Sequence, residues 1–233
     1  MEKKLGGAII TEISGVMDGK CSFASAWREG VRLPIRDAFD LKASTLEVKI
    51  EALRQTPDEY AIDAHFLINN SPGGDGEEVR RWKQYMSAIR STGGRVSTQI
   101  LGYAGSAAAW TFMLGDTGHR FMTSDGKLGL HNATLEIGAT AQKSSDPLEL
   151  IALARRDIAK LIEISGEMRE DTEFFLQTLP SQERQRIMQD AFSRAGDDFL
   201  TLRGSELERA GVTILTADQI VERVVSQFLR LKN

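Results

Sequence analysis

The chain has 233 residues, 41% hydrophobic and 27% charged, which is the balance of a soluble globular protein with ample length for a large core. Its 29 Lys and Arg against 33 Asp and Glu give a net charge of −4 with no basic run, so the electrostatic footprint of a nucleic-acid binder is missing. The longest apolar runs, such as Ala107–Trp110, fall far short of the ~20 residues of a membrane span, and no membrane partner is expected. The N-terminus, Met1-Glu2-Lys3-Lys4-Leu5-Gly6-Gly7, lacks the apolar core and cleavage site of a secretory signal. A single cysteine, Cys21, cannot form an internal disulfide, which fits a reducing, cytoplasmic location.

Residues 7–14 read as a first strand, and residues 15–43, of mixed composition, as a long loop or irregular excursion. Ser44 and Glu47 form a capping box ahead of Leu46, Ile50 and Leu53, a helical spacing that ends before Pro57. A strand over 62–68 runs into the turn Pro72-Gly73-Gly74. Val79, Trp82, Met86 and Ile89 then mark one face of a helix that Gly93-Gly94 stops. A strand at 95–101 leads to Ser106 and a short helix through about Leu114. Strands follow at 119–123 and 127–131, split by the turn Ser124-Asp125-Gly126, and then a mobile loop over 132–146.

Asp146 as N-cap, Pro147 at the first helical position and Glu149 start a long helix running to about Thr178. Further helices are predicted over 181–195 and 203–210, and Thr216 with Gln219 caps a last one whose inner side carries Ile220, Val224, Phe228 and Leu231. Strands alternating with helices argue for an α/β fold with a largely parallel sheet.

In such a layer, sites form at the carboxyl ends of strands. Three features stand at strand ends: the Gly73-Gly74 turn, Ser106, and His131, which follows the serine by 25 positions. A serine in the first turn of a helix places its own N–H and that of Ala107 at the helix mouth, where developing negative charge is favoured. The glycine turn offers a second backbone donor with no side chain in the way. A serine hydroxyl needs a base, and histidine is the usual one. Of the three histidines, His65 sits inside a strand and His119 in a turn, so His131 is best placed. Any one of these features alone has a bland reading: a helix cap, a structural histidine, a plain turn. Their combination supports acyl transfer. The histidines lack metal-ligand spacing and no phosphate loop is present, so no metal or cofactor is expected.

The patterns Asn70-Ser71-Pro72-Gly73-Gly74, Gly102-Tyr103-Ala104-Gly105-Ser106-Ala107 and Leu130-His131-Asn132 resemble the Clp protease proteolytic subunit, and His131-Asn132 also resembles the Clp-related head-maturation proteases of phages. The likeness covers roughly 44–131 and, more loosely, 195–215. It implies a ClpP/crotonase-like superhelix of ββα units with a largely parallel sheet and a long protruding handle helix. One peptidase domain would span 1–233, with an insertion at about 15–43 and a handle region at about 147–195. It also implies a serine peptidase with Ser106 as nucleophile, His131 as general base, Asp197 as orienting carboxylate, and the N–H groups of Gly74 and Ala107 as oxyanion hole. Asp198, Asp190 and Asp171 stay open as alternatives to Asp197. Implied partners are peptide or unfolded-protein substrates, further copies in a ring-shaped homo-oligomer, and a separate AAA+ ATPase unfoldase. Three rival readings are a Ser–Lys peptidase using Lys127 or Lys143, a crotonase-like acyl-CoA binder, and a catalytically idle ring subunit. An α/β-hydrolase is disfavoured, since Ala104 and Ala108 stand where its elbow carries glycine.

Overall fold

The computed structural model describes residues 3–17, 22–28, 36, 45–134, 146–195 and 198–232. In chain order the elements are β1 (Lys4–Met17), β2 (Ser22–Trp27), α1 (Leu46–Arg54), β3 (Tyr60–Gly74), α2 (Gly76–Ser91), β4 (Val96–Gly105), α3 (Ser106–Met113), β5 (Arg120–Thr123) and β6 (Lys127–Leu130). They continue with α4 (Pro147–Phe175), α5 (Ser181–Ser193), β7 (Leu200–Arg203), α6 (Gly204–Leu207), a 3-10 turn (Glu208–Ala210), β8 (Thr213–Leu215) and α7 (Ala217–Lys232). Two compact units emerge: Met1–Gly129 with Thr201–Asn233, and Leu130–Leu200.

The sheet runs β2-β1-β3-β4-β5-β8, with β6 paired to β4 and to β7. Every pairing along this path is parallel except the β1–β2 hairpin. The α/β class with a mostly parallel sheet therefore holds. Ile62, Ala64, Phe66 and Ile68 of β3 are fully buried, as expected of a strand covered on both faces. The α2 stripe meets them, Phe66 standing edge-on to Trp82 at 5.6 Å and to Tyr85 at 5.9 Å. Fully burying each such ring contributes roughly 1.5–3 kcal/mol. Asp75 starts α2 by accepting the Glu77 N–H at 2.9 Å.

The region read as a long irregular excursion, 15–43, departs from that reading. Residues 15–17 extend β1, and Ser22–Trp27 pairs antiparallel with it. The physical reason is Phe23, whose ring lies 6.0 Å from Trp82 and extends the aromatic core, with the Lys49 ammonium over the ring, 5.0 Å from its centroid. Burial lowers the pKa of that lysine. Ser44 lies outside the described residues, and the cap of α1 is its neighbour Thr45, which accepts the Val48 N–H at 3.4 Å. Strands β7 and β8 are additions too, and at four and three residues they are too short to show a period. The last helix behaves as read: Thr216 and Gln219 bond reciprocally at 2.8 and 3.2 Å.

Within the second unit, Asp146 caps the 29-residue α4 through the Leu148 N–H at 2.9 Å. Phe175, Leu176, Leu179, Ile187 and Ala191 are buried there around the α4–α5 connection. The 132–146 loop falls largely, from 135 to 145, outside the described residues. Among the described residues no helix is long and apolar enough to cross a membrane.

Candidate active site

Strand β4 passes directly into α3 at Ser106, and the passage is sharp. Ser106 has φ 51, a left-handed conformation that a residue with a side chain adopts only when its surroundings enforce it. The enforcement comes from both sides. Ala107, Ala108, Ala109, Trp110 and Phe112 are buried, anchoring the helix. Thr98 Oγ1 donates to the Phe112 carbonyl at 2.8 Å, tying the helix back to β4. The N-cap is Gly105, without a side-chain cap bond, so no cap side chain covers the first-turn N–H groups.

The opposing wall is the end of β3. Asn70 has φ 50 and interrupts the β3–β4 register between Asn69 and Ser71. Its Oδ1 accepts the Tyr103 N–H at 3.2 Å. Ser71 Oγ donates to the Gly15 carbonyl at 2.6 Å and accepts the Gly73 N–H at 3.3 Å. Gly73 then runs against the serine turn with φ +102. A Cβ there would stand 2.5 Å from the Gly105 carbonyl oxygen and from Ser106 Cβ, and 2.9 Å from the Ala107 nitrogen. Only glycine fits. The structure thus brings the Gly73-Gly74 turn, Ser106 and Ala107 together within the first unit.

Two residues quoted in the sequence patterns, Asn70 and Tyr103, carry roles that the sequence reading does not assign. Asn70 fixes the β4 backbone just before the serine, and its residue type was the available signal, since Asn tolerates positive φ. Tyr103 lays its hydroxyl against Gly105 and Gly129, which face each other in the β4–β6 ladder, and burial raises its pKa. No local pattern announces that role.

His131 belongs to the second unit and follows β6 directly. It is buried, 5% exposed, with the Phe199 ring edge-on at 4.5 Å. The next residue, Asn132, donates its N–H to the Arg194 carbonyl at 3.0 Å. The Arg194 guanidinium in turn pairs with Asp190 at 2.8 Å and Asp198 at 2.7 Å. Those two alternatives for the orienting carboxylate are therefore held by an arginine, while Asp197 lies outside the described residues. Asn132, Ala133, Leu161, Ile162, Gly166 and Phe192 line a cavity of about 390 Å³ in this unit.

The other histidines sit elsewhere, in the first unit. His65 bonds Gln227 Oε1 at 2.7 Å, and His119 Nδ1 lies 3.5 Å from Ser97 Oγ. Lys127 is exposed at the start of β6, and Lys143 is outside the described residues. Among the described residues no cluster of three or more His, Cys, Asp or Glu side chains is placed to hold a metal ion.

No curated protein matches the chain. Residues 43–189, more than half of the sequence, match the model of the Clp protease family. That span contains the glycine turn, Ser106 and His131. The chain belongs to the Clp protease family.

Proposed function

We propose that the protein is a serine peptidase that hydrolyses peptide bonds through Ser106, His131 and Asp197. The observation that carries the reading is the close approach of Gly73 to the left-handed Ser106 turn. Such strain persists where the fold over-determines it, and it clusters at functional sites. The ladder register adds support: Ser106 follows Gly105, and His131 stands two residues after Gly129, the ladder partner of Gly105.

In this reading His131 takes the proton of Ser106 Oγ as the oxygen attacks the scissile carbonyl. The oxyanion formed is held by the N–H groups of Gly74 and Ala107, since the Gly73 N–H is already directed to Ser71 Oγ. His131 returns the proton to the leaving amine, and the acyl-enzyme forms. Water, deprotonated by the same histidine, then attacks the ester and releases the acid and the free serine. Asp197 orients the imidazole, Asp190 and Asp198 being paired with Arg194. The whole chain acts as one peptidase domain whose 147–195 region is a handle, in a ring of copies fed by a separate ATP-driven unfoldase.

The test is covalent labelling by a fluorophosphonate. Wild type is expected to label at Ser106, and Ser106→Ala and His131→Ala to lose the label, while Lys127→Ala keeps it. A wild type that stays unlabelled in every assembly state would overturn the reading and leave an idle Clp-like subunit.

A further inference from the structure

At the amino ends of β1, β3 and β4, at the other end of the sheet from Ser106, an open cleft of about 850 Å³ runs along α7. Lys3, Arg95, Arg223 and Arg230 line it against two carboxylates, Asp63 and Glu222. Asp63 is already engaged: one oxygen accepts the Arg95 backbone N–H at 2.8 Å, and the other accepts Gln227 Nε2. Lys3 Nζ donates to the Thr92 carbonyl at 2.9 Å. The guanidinium groups of Arg95 and Arg230 have no hydrogen-bond or ion-pair partner among the described residues, and that of Arg223 has only the face of Phe121, 4.3 Å away. Four cationic side chains therefore share one concavity with two carboxylates, and the three guanidinium groups form no ion pair among the described residues.

The floor is polar as well. His65 and Ser97 line it while 2% and 5% exposed, and Gln99, fully buried behind them, directs Nε2 to His65 Nδ1 at 3.3 Å. Gln99 Oε1 has no hydrogen-bond partner among the described residues. Buried polar groups are costly where an apolar floor would pack as well, so a layer of them beneath a cationic rim points to a polar occupant. Burial lowers the pKa of His119, and Arg95 and Arg223 act in the same direction against the opposing Asp116 and Asp63.

We propose that this cleft binds a small multivalent oxyanion, phosphate or carboxylate, between Arg95, Arg223 and Arg230, with Ser97 and His119 within reach of it. Bidentate guanidinium–oxyanion pairing supplies the affinity. None of the residues proposed for hydrolysis takes part, so the two readings stand or fall separately. The experiment is calorimetric titration of the intact protein with inorganic phosphate and, separately, with citrate, at constant ionic strength. Saturable binding is expected, weakened at least about tenfold by Arg95→Gln and by Arg230→Gln, both at exposed positions, and unchanged by Arg186→Gln, which does not line the cleft. The tighter of the two anions identifies the natural ligand as phosphoryl- or carboxylate-bearing. Failure of both anions to saturate, or unaltered binding by Arg95→Gln and Arg230→Gln, overturns the proposal.

Discussion

The two ends of β3 and β4 are built by opposite means. At the carboxyl ends the backbone itself is the material: left-handed turns at Asn70 and Ser106, and glycines at 73 and 102 set against neighbouring atoms. At the amino ends long polar side chains, His65, Gln227 and the arginines, surround an open volume, with Gln99 buried behind them. The contrast separates two requirements. An oxyanion hole needs donors fixed to a fraction of an ångström, and packed backbone provides them. A cleft for a hydrated ion tolerates mobile side chains. Substitutions at the first end should thus be severe, and those at the second graded.

Gly73→Ala tests the severe end most directly. Its Cβ would collide with backbone on the serine side, in a conformation that alanine resists, so the turn must move. Labelling of Ser106 is expected to fall about 10²-fold or more, and stability by about 2–4 kcal/mol in chemical denaturation. A variant that labels at the wild-type rate would show that the two turns are not coupled. Gly102→Ala comes next. At φ +105 its Cβ meets the Asn70 side-chain amide, and that amide can swing aside where backbone cannot. A loss of about 1–2 kcal/mol is expected, with a smaller drop in labelling as Asn70 releases the Tyr103 N–H. If Gly102→Ala proved worse than Gly73→Ala, side-chain support rather than backbone contact would be what holds the turn.

The same contrast explains what could be read from the sequence. Backbone requirements leave local signatures, so Gly73, Gly74 and Ser106 were legible, as were helices announced by caps and by a 3.6-residue stripe, such as α2 and α7. Through-space requirements leave none. Asn70 and Tyr103 act on each other across two strands, and Gln227 reaches His65 and Asp63 from the far end of the chain. His65 sits inside its strand as the sequence places it, and it is buried there as one link of a polar chain. Strand β2 exists because Phe23 finds Trp82, a contact with residues some sixty positions on that no local period encodes. The segment 195–198 carries two adjacent carboxylates, Asp197 and Asp198, and residue type alone does not choose between them or against Asp190 and Asp171. Among the described residues, Asp190 and Asp198 both pair with Arg194.

At the graded end, Thr216→Ala removes one half of the box that starts α7, the helix lining the cationic cleft. About 1 kcal/mol of stability should be lost, with Ser106 labelling unchanged. Coupled loss of labelling would mean that the two ends of the sheet are not independent.

The smallest effect is a pH slope from His65. Burial lowers its pKa below that of an exposed histidine, outweighing the opposing influences of the Gln227 bond and Asp63; Arg223 and His119 push it further down. The sign follows from which state binds the proton. As pH falls below about 6.5 the unfolded chain protonates this histidine first, so the folded state loses relative stability. The loss begins near that value, continues down to the lower folded pKa, and then levels off. His119 shifts in the same direction and adds to the slope. Denaturation midpoints of wild type measured between about pH 7.5 and 5 should therefore decline, and those of His65→Gln should decline less steeply. Identical slopes would assign the pH dependence to His119 or to carboxylates elsewhere. The polar chain through Gln99, His65, Gln227 and Asp63 would then serve packing under α7 alone.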